Sequence, residues 1–360
     1  MPLKIVHCAD LHIGASSSHL PSDLAAQRSE ELRAAFLNII NYCKEKSVDA
    51  LLICGDLFDS PKPLKKDCDF VRNALSVLYP VPVFIICGNH DYMCTDSIFS
   101  RNNYFTENVH VFPCFEHSFE LEEKNAVIYG KSYSSNVTEP AFKNCLFDES
   151  KINILCLHGD VIPSSDYNAI SRSTLSNIPC SYAAFGHIHN GEIFDVGNVR
   201  CAYSGTAEGH SFGDDGHTGF IYAEITKDET SLTHVSLSKR HYHNISYDIS
   251  GLSSEQIVNE LKKLVCSSDL YRITLIGECI DEINLQFIKE ALESDVFYVE
   301  TADHSSPSYN FDDIEAEESL RGEFLRELRA LSVSEEEFIR CGKAGLDALS
   351  GRIPVMGEDI

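Results

Sequence analysis

The sequence predicts an α/β fold in which mixed β-sheets and helices are stacked in layers. Through residues 1–160, short apolar runs alternate with stretches whose apolar residues recur at helical spacing. The early runs are unbroken, which is typical of strands buried on both faces, and the runs after residue 180 alternate apolar and polar residues. These observations indicate a layered sandwich that extends to residue 240.

The elements of this first part follow one another in a regular order. One helix is predicted over 25–46, because Leu32, Phe36 and Ile40 recur on one face, and a second over 65–78. Further strands follow between residues 180 and 240. Before them, apolar runs predict strands at 3–8, 49–54, 81–87, 108–112, 117–121, 126–130 and 152–158.

A different pattern begins near His241. Strand, helix, strand, helix and strand patterns follow one another, which predicts a small α/β domain over 241–302. A polar, acidic stretch then leads into two amphipathic helices, so residues 303–360 are predicted as a linker with C-terminal helices. We therefore expect a chain divided into residues 1–240, 241–302 and 303–360.

Charge and hydropathy exclude some classes of protein. The formal net charge is −26, and because DNA affinity comes largely from Lys and Arg that neutralise phosphates, the chain alone should bind DNA weakly. No apolar run reaches the roughly 18 residues of a membrane-spanning helix. The N-terminus begins directly with a strand pattern rather than a signal sequence. We expect a cytoplasmic protein without a membrane partner.

Five predicted strands end in polar side chains of the kinds that bind metals. Ligand sites in open α/β sheets lie beyond the carboxyl ends of the strands, so these side chains are expected to meet at one rim. In chain order they are Asp10, His12, Asp56, Asn89, His158, His187 and His189.

Carboxylate, imidazole and amide donors together suit divalent cations such as Mn²⁺, Fe²⁺ or Zn²⁺, and no thiolate is needed. A two-metal site needs one bridging ligand, and Asp56 in the middle of the set fits that position. Metals about 3.5–4 Å apart can share a hydroxide, clamp a phosphate and stabilise an in-line displacement.

Each motif alone has an ordinary structural explanation. A DxH pair is common by chance, GDLFD fits a turn in which Asp59 caps a helix, and GNHD consists of turn-forming residues. His158 alone fits a buried, hydrogen-bonded histidine. Five such motifs, each directly after a predicted strand, are not explained in this way, and together they favour the metal site.

The motifs DLHIG (10–14), GDLFD (55–59), GNHD (88–91), HG (158–159) and GHIH (186–189) resemble the signature of the calcineurin-like metallophosphoesterases. The spellings DLHIG and GDLFD resemble the SbcD-type DNA repair nucleases in particular, most of all their shorter, YhaO-like bacterial form. The resemblance implies a four-layer α/β/β/α sandwich metallophosphoesterase with a small α/β capping domain and C-terminal helices.

The resemblance also implies a role for each site residue. His90 would be the acid that assists the leaving oxygen, Asp91 would orient a neighbouring histidine, and Asp59 would be structural. Two divalent metal ions would be bound, with Mn²⁺ preferred and Fe²⁺, Zn²⁺ or Mg²⁺ also suited to the donors. The implied ligands are Asp10, His12 and His189 for one ion, Asn89, His158 and His187 for the other, and Asp56 as the bridge.

Partners follow from the same resemblance. DNA would be the substrate, and the tail helices would dock an SbcC-like or SMC-like coiled-coil ATPase. The apolar stripes of those helices also fit packing within the chain or contact in a homodimer. The predicted cap is acidic, which argues against tight DNA binding by this chain alone.

The sequence therefore predicts a Mn²⁺-dependent DNA nuclease, an exonuclease or endonuclease that hydrolyses phosphodiesters with a hydroxide bridged by two metals. It would act in DNA repair with its ATPase partner. The alternative is a small-molecule or nucleotide phosphoesterase on the same fold, which the acidic surface favours. A non-catalytic scaffold would normally lack ligands, whereas all seven positions hold competent side chains.

Overall fold

The computed structural model of the chain describes residues 2–101, 103–138, 142, 146–279 and 283–351. The chain divides into two compact units, one of Met1–Asn244 with Ser268–Leu270 and one of Ile245–Ser267 with Tyr271–Ile360. Across the described ranges, every helix is too short or too polar to cross a lipid bilayer.

The first unit is built from strands and helices that match the sequence pattern closely. The predicted strands and both helices of its first 160 residues are confirmed, with ends that move by a few residues. In chain order the elements are β1 (Leu3–Cys8), α1 (Ser22–Lys46), β2 (Ala50–Cys54), α2 (Lys65–Ser76), β3 (Val83–Ile86), β4 (Val109–Val111), β5 (His117–Leu121), β6 (Ala126–Gly130), β7 (Ile152–His158), α3 (Arg172–Leu175), β8 (Tyr182–Gly186), β9 (Glu192–Val196), β10 (Val199–Tyr203), β11 (Gly219–Ile225) and β12 (Thr230–Ser236).

These strands form two six-stranded sheets. The first has the order β12-β11-β1-β2-β3-β4, in which β1 to β4 are parallel and β11 and β12 are antiparallel. The second has the order β5-β6-β7-β8-β10-β9, in which only the edge strands β5 and β9 are antiparallel to their neighbours. The parallel strands of each sheet therefore present their carboxyl ends at one edge.

The two sheets pack face to face and helices cover their outer faces. Leu52 and Ile86 of the first sheet meet Ile154 of the second in one buried cluster. α1 and α2 cover the other face of the first sheet, where Phe36 is fully buried. Burying a side chain of this size stabilises the fold by about 1.5–3 kcal/mol. α3 and irregular chain cover the second sheet, and the predicted four-layer sandwich is confirmed.

The second unit contains the alternating pattern that the sequence predicts over 241–302. A three-stranded sheet, β13-β14-β16, packs on α4 and α5 around Ile273 and Ile288, and the short β15 pairs with β17. Its elements, the first of which begins at the unit boundary, are β13 (Tyr242–Asp248), α4 (Ser254–Leu261), β14 (Leu270–Ile276), β15 (Glu278–Cys279), α5 (Leu285–Glu293), β16 (Tyr298–Asp303), β17 (Ser306–Pro307), α6 (Phe311–Glu315), α7 (Leu320–Ala330) and α8 (Glu335–Leu349).

The last three helices form a small core of their own. Ile314 of α6, Leu325 of α7, and Phe338 and Leu346 of α8 are buried together, with Phe311 packed beside them. The polar stretch expected to be a linker thus contains β17 and α6. Its few apolar residues are enough to attach it to the two longer helices.

Candidate two-metal centre

The seven predicted ligands lie at or just beyond the carboxyl ends of β1, β2, β3, β7 and β8. Four of them have positive φ angles: Asp10 (51°), His12 (43°), Asp56 (51°) and His187 (96°). Residues other than glycine rarely adopt this left-handed region, and where they do, the strain is often associated with a functional site. The backbone is thus bent to aim these side chains at a common point.

Two glycines allow neighbouring segments to approach each other closely at this point. A Cβ atom on Gly55, whose φ is +91°, would lie 2.2 Å from Nδ1 of His158. A Cβ atom on Gly88 would lie 2.2 Å from Oδ1 of Asp56. Both distances are far below a normal contact, so only glycine fits where the site is most crowded.

Asp56 lies between histidines that come from different sheets. Its Oδ2 atom is 3.3 Å from Nε2 of His158 and 3.8 Å from Nε2 of His12. Its Oδ1 atom accepts a hydrogen bond from the backbone N–H of His90 at 2.9 Å. Burial disfavours its charge, but His158 and His12 outweigh that effect and hold the pKa of Asp56 well below its usual range. This is the position that a bridging carboxylate needs.

On one side of Asp56, donor atoms of Asp10, His12 and His189 lie within 4.8 Å of one another. Nδ1 of His12 lies 3.0 Å from the Asp59 carboxylate, and Nδ1 of His189 lies 2.9 Å from that of Asp214. Because an ionised carboxylate only accepts, each ring donates its Nδ1–H. Each Nε2 then keeps a lone pair that can bind a metal ion, the usual arrangement of metal-binding histidines.

On the other side, Asn89, His158 and His187 meet. Oδ1 of Asn89 is 2.9 Å from Nε2 of His158 and 3.2 Å from Nδ1 of His187. His158 also donates its Nδ1–H to the backbone carbonyl of Cys54 at 2.9 Å, and its ring lies within 4.8 Å of donor atoms of Asp10 and Asp56. The structure therefore brings all seven predicted ligands together.

Two imidazole nitrogens show that the donors fit cations. Nε2 of His12 is buried and has no hydrogen-bond partner among the described residues. Nε2 of His158 faces carboxylate and amide oxygens, which are acceptors. Burial opposes a charge on His158, but Asp56 and Asp10 outweigh it and raise the pKa of His158 to about 9. Positive charge is therefore favoured here, as two bound divalent cations would supply.

His90 lies at the open side of the site. Its side chain is 47% exposed, and its Nδ1 atom is 3.4 Å from Oδ1 of Asp59. Its ring centroid lies 4.7 Å from that of His12. The hydrogen bond with Asp59 is the main reason that the pKa of His90 is raised. An imidazole in this position can reach a phosphate bound at the centre and donate a proton to it.

Asp91 makes different contacts from those expected. Its carboxylate is fully buried and accepts hydrogen bonds from the backbone N–H groups of Gly88 at 2.7 Å and Phe58 at 3.2 Å. Both oxygens are thus directed at backbone amides of the GNHD and GDLFD loops. The predicted contact with a histidine is wrong, because the carboxylate fastens one loop to the other instead.

Asp59 makes the contact that was expected of Asp91. Its carboxylate lies against both His12 and His90, and burial is outweighed by their hydrogen bonds, which lower the pKa of Asp59. The helix-cap explanation of Asp59 is wrong, because α2 begins only at Lys65.

Sequence reasoning missed two further carboxylates beside the site. Asp214 binds His189 and also accepts from the backbone N–H groups of His210 and Ser211, at 2.7 Å and 3.0 Å. It lies in a glycine-rich turn, 25 residues from His189, so no spacing rule could connect them. Oδ1 of Asp160 lies 3.6 Å from Nε2 of His187. Its place directly after the HG motif was the signal that could have revealed it.

Comparison with known proteins finds a matching family and several similar chains. A family profile described as calcineurin-like phosphoesterase matches residues 3–203, a span that holds all seven predicted ligands and His90. Among solved structures, a dimetal phosphatase from Danio rerio aligns with a TM-score of 0.45 and 12% identity, covering 66% of this chain and 98% of that one.

Two curated relatives show what the chain is similar to. The uncharacterised metallophosphoesterase YhaO of Bacillus subtilis is 27% identical over 243 residues, which cover 64% of this chain and 59% of YhaO. The DNA double-strand break repair protein Mre11 of Archaeoglobus fulgidus is 27% identical over 237 residues, 57% of this chain and 50% of that protein. The matched part thus spans only half to three-fifths of each relative.

Proposed function

The chain belongs to the calcineurin-like phosphoesterase family, a family of metal-dependent hydrolases, and from this premise we propose that it is a Mn²⁺-dependent DNA nuclease. It cleaves phosphodiester bonds and acts in DNA repair, in the cytoplasm. The observation that carries the proposal is the meeting of seven donor side chains from two sheets around Asp56.

The ligand assignment follows the two sides of the site. Asp10, His12 and His189 would hold one ion, and Asn89, His158 and His187 would hold the other, with Asp56 as a ligand of both. When bound, such a pair of ions activates a water molecule at neutral pH and stabilises the negative charge that develops on the phosphate. The oxygen and imidazole donors suit Mn²⁺, Fe²⁺ or Zn²⁺, and we choose Mn²⁺ among them because of the resemblance to the SbcD-type nucleases.

The side chains around the ions complete the chemistry. His90 stands on the open side and donates a proton, or a hydrogen bond, to the oxygen that leaves the phosphorus. Asp59 holds His90 and His12 in one arrangement through a single carboxylate. Asp214 and the carbonyl of Cys54 fix the rings of His189 and His158, so that their Nε2 atoms stay directed inward.

DNA is preferred as the substrate because the Mre11 relatives are DNA double-strand break repair proteins. We propose that residues 241–302 form a cap that helps position DNA, and that residues 303–360 dock an SMC-like coiled-coil ATPase. Leu320 and Leu331 of the helical tail are 71% and 72% exposed, which suits contact with a partner. A homodimer is a further arrangement compatible with this role.

The second candidate function is hydrolysis of a small phosphoester, such as a nucleotide. It is favoured by the net charge of −26, which repels a polyanion. The two functions share the metal centre and differ in what lies beyond the scissile phosphate.

The test of the catalytic assignment uses His90→Ala, with His304→Ala as the control because His304 is an exposed histidine of the second unit. The His90 variant is expected to lose about 100-fold or more in kcat, because it lacks the proton donor. It should retain the same number of Mn²⁺ ions as the wild type by elemental analysis. Full activity of His90→Ala would remove His90 from the reaction.

The substrate is tested with the wild-type protein and Mn²⁺ on three compounds: linear DNA, a nucleotide and bis-p-nitrophenyl phosphate. The nuclease proposal expects DNA cleavage, increased when a neighbouring SMC-like ATPase is added. Hydrolysis of the small esters without any DNA cleavage, with or without the ATPase, would favour the second candidate.

A further inference from the structure

A cavity of about 410 Å³ lies beside the GDLFD motif, outside the metal centre. Its walls come from the segment that precedes α2, from one face of α2, and from Asp96, Ile98, Arg101 and Tyr104. We refer to it as the basic pocket, because four cationic side chains line it, Lys62, Lys65, Arg72 and Arg101, against two carboxylates, Asp69 and Asp96.

The charge of the basic pocket contrasts with that of the chain. The lining carries a net charge of +2 from these six residues, whereas the whole chain carries −26. Lys65 and Arg72 both pair with Asp69, and Lys62 lies 3.4 Å from Asp96. Arg101 is an exposed cation of the lining. The pocket therefore has more positive side chains than its own carboxylates neutralise, and these can bind an anionic group.

The pocket also offers an aromatic surface. The Arg72 guanidinium lies 5.2 Å from the centroid of the Tyr104 ring, and the Tyr104 hydroxyl donates to Asp69 at 3.0 Å. Both side chains are thereby held in place. Cations that track phosphates next to aromatic or guanidinium planes are what single-stranded nucleic acid sites use.

The pocket adjoins the catalytic side of the metal centre along the chain. Asp59 contacts His90, and Pro61, which lines the pocket, follows it by two residues. Two residues of extended chain span at most about 7 Å. Pro61 and the pocket residue Lys62 therefore lie close along the chain to the acid that contacts His90.

On these grounds we propose that the basic pocket is a phosphate subsite for a single polynucleotide strand that continues beyond the scissile bond. The inference rests on the proposed nuclease function. It explains how the site would distinguish a polymer from a small ester, because only a polymer has further phosphates to bind in the pocket. It also explains how an acidic chain engages DNA locally, since the cations are concentrated where the strand must pass.

The test removes two charges from the pocket with the double variant Lys62→Gln/Arg101→Gln. The matched control, Lys44→Gln/Lys46→Gln, removes two charges from the end of α1, four residues before β2 begins and hence at the opposite edge of the sheet. Both pairs are made in the His90→Ala background with Mn²⁺. Cleavage is expected to be about 100-fold slower in this background, so the binding of a labelled single-stranded oligonucleotide can be followed by anisotropy across NaCl concentrations before it is degraded.

The slope of log K against log [NaCl] should decrease in magnitude by about 1.4 in the pocket variant, because each lost phosphate contact on a single strand contributes about 0.7. The control should keep the slope of its parent. With His90 restored, the pocket variant should lose about tenfold more kcat/KM on DNA than on bis-p-nitrophenyl phosphate.

Equal slopes in the pocket variant and the control would overturn the proposal. So would an equal loss of activity on DNA and on the small ester, since that would place the effect at the metal centre. Because binding is measured before cleavage, a failure of the subsite is distinguishable from a failure of the nuclease function, which would appear as uncleaved DNA in the wild type.

Discussion

One carboxylate oxygen of Asp59 joins two histidines of the site, lying 3.0 Å from Nδ1 of His12 and 3.4 Å from Nδ1 of His90. His12 belongs to the set of predicted metal ligands, and His90 is the proposed proton donor. A single negative charge thus orients a ligand and a donor together. Metal binding and proton donation are expected to respond jointly when this residue is changed.

Asp59→Asn should lower kcat/KM on bis-p-nitrophenyl phosphate by about 10–100-fold, because partners that orient metal-binding histidines have effects of that size. The amide keeps the shape but loses the charge that supports both rings. Mn²⁺ affinity, measured by calorimetry, should fall in the same variant. Asp228→Asn, at an exposed position between β11 and β12, serves as the control. If Asp59→Asn had the same activity and Mn²⁺ affinity as this control, Asp59 would not orient His12 and His90.

Asp91→Ala should reduce the free energy of unfolding of the metal-free protein by at least about 2 kcal/mol, since two buried backbone N–H groups lose their acceptor. Urea denaturation measures this loss. His90→Ala, whose side chain is 47% exposed, should unfold close to the wild type. If Asp91→Ala were as stable as the wild type and only its kcat fell, the loop-fastening role would be wrong.

Asp214→Asn should weaken Mn²⁺ binding by about 10–100-fold, because the Nδ1–H of His189 loses the charged acceptor that fixes its ring. Asp215→Asn is a close control, since the neighbouring carboxylate is exposed and lies 3.4 Å from the side chain of Asn244. Calorimetric titration of both variants provides the comparison. Identical affinities in the two would show that Asp214 does not position His189.

Glu31 is one of two acids, with Glu208, that pair with Arg28 in a buried ion cluster, and it should make stability depend on pH. Burial disfavours its charge, but hydrogen bonds from Arg240 and Arg28 outweigh this and lower the pKa of Glu31 from 4.5 to about 2. A depressed pKa stabilises the fold above pH 4.5 and the effect is lost as the pH falls toward 2. Glu31→Gln should therefore unfold more easily at pH 7, by on the order of 3 kcal/mol.

The pH profile separates this effect from general destabilisation. The difference in stability between wild type and Glu31→Gln should shrink steadily between pH 4.5 and the lowest pH at which the protein stays folded. Glu30→Gln removes the adjacent acid, whose side chain is 73% exposed, and should show little difference at any pH. If the difference in stability between wild type and Glu31→Gln stayed constant with pH, its cause would be packing rather than charge.

Much of the fold and of the ligand set could be predicted because local sequence determines both. β1 was predicted over 3–8 and is found at Leu3–Cys8, since a strand buried between two layers must be apolar throughout. The ligands follow such strands directly, so the change from apolar to polar residues marked them. Asp10, Asp56 and Asn89 were all recognisable in this way.

Contacts set by distant segments could not be predicted. Asp214 reaches His189 across 25 residues, and nothing near it marks it as part of the site. Asp91 and Asp59 are both acids in loops, and only the folded arrangement shows that Asp91 binds backbone amides and Asp59 binds histidines. α6 could not be predicted, because three aromatic or aliphatic residues in a polar stretch do not make a helical pattern. They are nevertheless enough to pack into a core.

The bridging position of Asp56 is tested most directly by electron paramagnetic resonance of the protein loaded with Mn²⁺. We predict two Mn²⁺ ions per chain with the spectrum of an exchange-coupled pair. Asp56→Asn should convert this into the signal of isolated ions or lose one ion. A wild-type spectrum of isolated Mn²⁺, unchanged by Asp56→Asn, would contradict a centre in which seven side chains hold two ions bridged by this carboxylate.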